Sequence, residues 1–137
     1  MDRIFLDTNV VLDLLLKRKE FLTDAIRLFT LIEYKKIEAV VCPVTYTTAS
    51  YFLSREKYQN QDELFTWLNI LLKTAVVDGE IIQKALHSKF RDFEDSVQHQ
   101  CAINEGCKVI ITRNRKEFQH ALLPVMLPKE YLASLEK

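Results

Sequence analysis

Two acidic residues stand where a reaction could be carried out. Asp7 ends the short apolar run Ile4-Phe5-Leu6 and is followed by Thr8-Asn9 and a leucine-rich helical pattern. This reads as a buried strand, a turn and a helix, with the acid at the strand's carboxyl end. Open α/β sheets place ligands and chemistry at that edge. Far along the chain, Asp95 lies in Asp92-Phe93-Glu94-Asp95 at the start of another predicted helix. Thr112-Arg113-Asn114 closes the β-branched run Val109-Ile110-Ile111. If these segments share one sheet, Asp7, Asp95 and Asn114 meet in one cleft, with Glu94 in the same first turn as Asp95. Clustered carboxylates repel each other unless a cation lies among them. Oxygen ligands suit Mg2+ or Mn2+, and such an ion assists in-line attack on a phosphate. The chain carries no P-loop, no GxGxxG and no Ser-His-Asp ordering, so phosphodiester hydrolysis is the chemistry these residues fit.

Plainer readings compete at several positions. An acid in the first turn of a helix complements the dipole, which alone accounts for Asp92 and Glu94. Asp13 falls within the first helix and is expected on an exposed face or in a local pair. His87, His99 and His120 follow no ligand spacing and read as surface or partly buried structural residues. Cys42, Cys101 and Cys107 form no CxxC pair. They read as reduced, buried thiols of a cytoplasmic protein. Zinc at His99, Cys101 and Cys107 fits no common structural spacing.

The elements that must position these residues follow from periodicity and breakers. Ile4 to Leu6 is a strand, and Thr8 or Asn9 is expected to cap the helix that carries Leu12, Leu15 and Leu16. Phe21 to Lys35 is amphipathic. Ala39 to Cys42 is a strand stopped by Pro43, followed by a helix over 44–57. Asn60 can cap a helix over 61–72. Ala75 to Val77 reads as a third strand ended by Asp78-Gly79, with a helix over 80–89. The helix opening at Asp92 or Phe93 runs to Glu105 and stops at Gly106. Lys108 to Thr112 is the clearest strand. A short turn follows over 114–118, then a last strand at Val125-Met126 and a helix from Pro128. Strands alternating with helices predict an α/β fold: a three-layer α/β/α sandwich around a mostly parallel central sheet. Right-handed crossovers then bring every strand's carboxyl end to one edge.

Bulk properties agree with one domain spanning 1–137. The 137 residues suffice for one core. Nineteen Lys plus Arg balance nineteen Asp plus Glu, so nucleic acid would have to be met through local basic clusters rather than overall charge. No signal peptide and no run long enough to span a membrane is evident.

Three motifs, in order, resemble the PIN domain of VapC-type toxin ribonucleases. The opening Phe5-Leu6-Asp7-Thr8-Asn9-Val10-Val11-Leu12-Asp13 is similar to that family's start. Glu94-Asp95-Ser96-Val97-Gln98-His99-Gln100-Cys101-Ala102 resembles its second acidic motif. Val109-Ile110-Ile111-Thr112-Arg113-Asn114, with Glu117-Phe118 beyond it, resembles its closing strand. The resemblance implies a Mg2+- or Mn2+-dependent endoribonuclease, with Asp7 and Asp95 as the metal-binding acids. Asn114 and Thr112 would orient water or phosphate, Asn9 would steady the Asp7 turn, and Arg113 and Arg115 would contact the RNA backbone. It also implies a homodimer and a small antitoxin protein as partners. Two positions depart from the pattern. Thr48 stands where the family has a Glu, and Asn114 where it often has an Asp. Two negative charges are therefore missing, and Glu94 or Glu117 could replace one. A PIN-like module that binds RNA or protein through a degenerate site is the alternative. A phosphatase with Asp7 as nucleophile is a third reading, weakened because its usual second Asp is Asn9 here.

Overall fold

The computed structural model describes residues 1–136. Five strands form one sheet: β1 (Asp2–Leu6), β2 (Ile37–Val41), β3 (Lys73–Thr74), β4 (Val109–Ile111) and β5 (Val125–Met126). The order is β3-β2-β1-β4-β5 and every neighbouring pair is parallel. The expected sandwich is therefore present, with a wholly parallel sheet. The chain leaves β1 toward β2 and β3 on one side, and β4 and β5 complete the other. The crevice beyond the carboxyl ends of β1 and β4 is thus the topological switch point, where such sheets bind ligands.

Alternation along each strand builds two cores. Ile4, Leu6, Ala39, Val41, Val109 and Ile111 face α1 (Thr8–Leu15), α2 (Leu22–Glu33), α4 (Gln61–Leu71) and α7 (Pro128–Ser134). Phe5, Val40 and Ile110 face α5 (Gly79–Leu86) and α6 (Phe93–Asn104). Strands buried on both faces read as continuous apolar runs, which is why β1 and β4 are legible in the sequence. The helix α3 (Val44–Arg55) completes the set. Cys42, Cys101 and Cys107 are buried free thiols in the second core.

Several boundaries differ from expectation. The third strand is Lys73–Thr74, paired with Val40 and Val41, and not Ala75 to Val77. Ala75 N still donates to Val41 O at 2.9 Å, but Val76 is already exposed. A polar edge strand has no apolar signature, and a charged edge is a common protection against stray pairing. The first helix starts at Thr8, so Asp7 itself occupies the N-cap position, with no side-chain cap bond. Thr8 and Asn9 lie inside the first turn and do not cap it. Asn60 is at the N-cap of α4 without a side-chain bond, whereas Asp78 Oδ1 accepts from Ile81 N and caps α5. The helix expected over 80–89 ends at Leu86. Gly106, with φ 71°, closes α6 in the left-handed conformation as expected.

Candidate active site

The site forms where three elements end or begin at the same sheet edge. Asp7 leaves β1, and its N–H donates to Ile111 O at 2.9 Å, continuing the β1–β4 ladder by one bond. Thr112 leaves β4, and its N–H donates to Met126 O at 3.0 Å. The start of α6 completes the edge. Asp92 occupies its N-cap and accepts from Asp95 N at 3.0 Å, which fixes Asp95 in the first turn.

Asp7 is 4 % exposed. Its two oxygens are held by neutral donors: Gln98 Nε2 donates to Oδ1 at 3.1 Å, and Thr112 Oγ1 donates to Oδ2 at 2.7 Å. Thr112 in turn accepts from Asn114 N at 3.0 Å. Gln98 is wholly buried, and its Oε1 accepts from Thr8 N at 3.1 Å. Thr8 Oγ1 meets Thr45 Oγ1 of α3 at 2.9 Å. A buried polar network of this kind is stiff when its members are satisfied, and here it holds the Asp7 carboxylate in one orientation.

Burial raises the proton affinity of three of these acids, and like charge adds to it for two. Burial pushes the Asp7 carboxyl above the usual carboxylate range, against the opposing hydrogen bonds from Thr112 and Gln98. Burial also pushes Asp95 up to about 7, with repulsion from Asp7, Asp92, Glu117 and Glu94 adding to it. Glu94 is raised by burial, then by Asp92 and Asp7. Asp95 and Glu94 therefore both feel the charges of Asp7 and Asp92 at this edge. Repulsion that burial does not relieve is the electrostatic signature of a site made for a cation.

The sequence-derived residues are not all placed alike. Asp7, Asp95 and Thr112 come together as expected. Asn114 is exposed just beyond Thr112, and its Nδ2 donates to Glu117 Oε1 at 3.3 Å. Glu117 therefore swings back toward the cleft, and its charge reaches Asp95. Asn9 is exposed on α1, and the turn is held by Thr8 instead. Thr48 is half-buried one helical turn beyond Thr45, on the same side of α3. Arg113 is committed elsewhere: its Nε donates to Asp13 Oδ2 at 2.7 Å, and its guanidinium lies 3.9 Å from the Phe21 ring centroid. Asp13 is 1 % exposed, which corrects the exposed face expected for it but keeps the alternative of a local pair. It also binds Arg18 at 3.4 Å. Arg115 is exposed and pairs with Glu130 at 3.1 Å.

Gln98, Thr8 and Thr45 were not singled out as site residues by the sequence. Gln98 carried a usable signal, because it follows Asp95 by three positions and so shares its helix face. The Thr8–Thr45 contact had none, since it joins two helices packed side by side.

A divalent cation fits the donor set, which is oxygen-only and rich in carboxylate. Among the described residues, no three His, Cys, Asp or Glu side chains converge closely enough to hold an ion between them. A cation such as Mg2+ keeps several waters and takes one or two carboxylates, which Asp7 and Asp95 would supply.

Comparison with known proteins agrees with this architecture. The PIN domain family profile matches residues 3–116. Ribonuclease VapC1 of Aquifex aeolicus (strain VF5) is 26 % identical over 136 residues, covering 95 % of this chain and 93 % of the relative. Among solved structures, a toxin–antitoxin complex from Klebsiella pneumoniae has a TM-score of 0.68 at 17 % identity, covering 91 % of this chain and 97 % of that one. VapBC2 from Rickettsia felis, bound to a DNA fragment from its promoter, has a TM-score of 0.66 at 15 % identity, covering 90 % and 96 %. At such identities these two structures speak for the fold alone.

Proposed function

The chain belongs to the PIN domain family, and from that premise we propose that it is a metal-dependent endoribonuclease, the toxin of a toxin–antitoxin pair. The observation that carries the reading is the group of acids at the switch point of the sheet, with Asp7 held by Gln98 and Thr112 and Asp95 fixed by the Asp92 cap at its centre. The likeness to a named ribonuclease over nearly the full length supports it.

Asp7 and Asp95 would hold the ion, with Mg2+ or Mn2+ suited to their oxygens. When bound, the cation supplies a Lewis acid that offsets charge developing on the phosphate. The chain's own residues do the rest. Gln98 and Thr112 fix the Asp7 carboxylate through donated hydrogen bonds. Thr112 spends its hydroxyl proton on Asp7 and accepts from Asn114 N, so Asn114 is held at the cleft mouth where its amide can meet a phosphate oxygen. Glu94 and Glu117, both exposed, restore charge that Thr48 and Asn114 do not provide, and can pass a proton from an attacking water to solvent. Arg115 is the better remaining candidate for the RNA backbone, because it is exposed and its ion pair with the half-exposed Glu130 gives up little on exchange. Arg113 serves by holding Thr112 to α1 through Asp13.

The fold likeness to VapBC assemblies supports an antitoxin partner, and the cytoplasm is the setting that fits a toxin acting on RNA. A homodimer belongs to the same reading, and would cover exposed side chains such as Tyr51 of α3 and Ile70 of α4. A Mn2+ titration of the metal-free protein tests the reading. Binding at millimolar metal that disappears in Asp95→Asn is the expected result. Equal binding in wild type and variant would remove the proposed centre. No binding in either would leave only a PIN-like binding module.

A further inference from the structure

All three histidines of the chain, His87, His99 and His120, line one cleft of about 820 Å3. It lies between α5, the 87–92 loop, α6 and the residues after the 3-10 turn at Arg115–Phe118. None of the roles given above to the acidic site uses these side chains.

The walls are built and not incidental. Ser88 Oγ meets Ser96 Oγ of α6 at 2.6 Å, and Ser96 Oγ donates to Ala85 O at 2.8 Å, which ties the loop to both helices. His99 is 2 % exposed and lies 4.8 Å from the Phe90 ring, nearly parallel to it. Burial lowers its proton affinity, so the ring is neutral. Its Nε2 accepts from Leu122 N at 3.0 Å, which leaves the proton on Nδ1. That N–H meets no acceptor among the described residues. A buried donor without a partner is costly and asks for an explanation. The rim is cationic. Lys89 pairs with no carboxylate among the described residues, and Lys84 has only the exposed Glu80. The described residues offer no metal-holding group here, so three histidines do not make a metal site.

The cleft is joined to the acidic site through α6 and the Phe90–Phe118 contact. His99 stands one turn beyond Asp95 on α6, and Phe90 packs edge-on against Phe118, the neighbour of Glu117. An aromatic surface and a cationic rim close to the proposed phosphodiester-cutting site match one ligand: a nucleotide of the strand being cut. We propose that this cleft is the base-binding subsite for the single-stranded RNA nucleotide next to the scissile bond. Phe90, backed by the stacked His99 ring, provides the stacking surface and Lys89 the phosphate contact. The proposal rests on the ribonuclease reading and extends it to substrate preference.

The test uses 15N-labelled protein with a chelator present, titrated with a short single-stranded RNA of mixed sequence. With only three histidines, all on the cleft, their ring signals report on it selectively. The expected result is that the His87, His99 and His120 signals move. Phe90→Ala then weakens RNA binding about tenfold. Lys89→Ala, which leaves the core alone, lowers the salt slope of binding by about one. RNA that binds without moving the histidine signals, and as tightly and with the same salt slope to Lys89→Ala, would overturn the subsite while leaving the ribonuclease reading intact. No RNA binding by the wild type would overturn both.

Discussion

Asp7 and Asp13 lie six positions apart, are 4 % and 1 % exposed, and do opposite work. Asp13 meets two guanidiniums, Arg113 at 2.7 Å and Arg18 at 3.4 Å. Its charge is answered, and it clamps the end of β4 to α1. Asp7 meets two neutral donors and no cation directly; the Arg113 charge reaches it only from a distance, so its carboxylate is oriented but not paired. Burial therefore does not separate a structural acid from a functional one. The charge of the partners does. A buried carboxylate held by amide and hydroxyl groups is available to a cation, whereas one held by arginines is not.

Substitutions can break that comparison. The largest effect is expected from Asp7→Asn, which should reduce RNA cleavage by about a hundredfold or more. The same change keeps or raises the melting temperature of the metal-free protein, because Asn still accepts from Gln98 and carries no charge to bury. Asp13→Ala should do the reverse. It leaves two arginines without their partner and costs about 2 kcal/mol, a loss lowered by their partial exposure. Its melting temperature should fall by roughly 8 °C, with measurable cleavage kept in the folded fraction. If thermal melts show Asp7→Asn to be as destabilised as Asp13→Ala, the distinction fails.

Acidity sharpens the comparison further. Asp95 has a folded-state value of about 7 against an ordinary 3.8. Between those values the folded chain holds a proton that the unfolded chain has released, so metal-free stability falls as pH rises through that window. Mn2+ must displace the same proton. Its affinity should therefore drop about tenfold between pH 8 and pH 6, with proton release visible when calorimetry is repeated in two buffers. A flat affinity would show that Asp95 is not a ligand. The smallest effect belongs to Glu117→Gln, expected to weaken Mn2+ about two- to threefold through lost charge alone; an unchanged affinity would show that its charge does not reach the ion.

The parts of the fold visible in the sequence are those carried by local patterns. The apolar runs of β1 and β4, the Asp92 start of α6 and the Gly106 stop depend on neighbours in the chain. The Asp7–Asp95 pairing followed from topology, because parallel strands bring their carboxyl ends to one edge. What was hidden depends on distant partners. Asp13 could not be recognised as buried because Arg113, a hundred positions away, makes its burial tolerable. The edge strand Lys73–Thr74 has no apolar pattern and takes its place by pairing with β2. The histidine cleft needs α5, α6 and two loops before it exists.

The most direct test of the account is RNA cleavage with Mn2+ by wild type and Asp95→Asn, each shown by thermal melting to be folded. The account predicts cleavage by the wild type and a loss of about a hundredfold or more in the variant, whose metal-free melting temperature at pH 8 is no lower. Equal cleavage by the two proteins would contradict it.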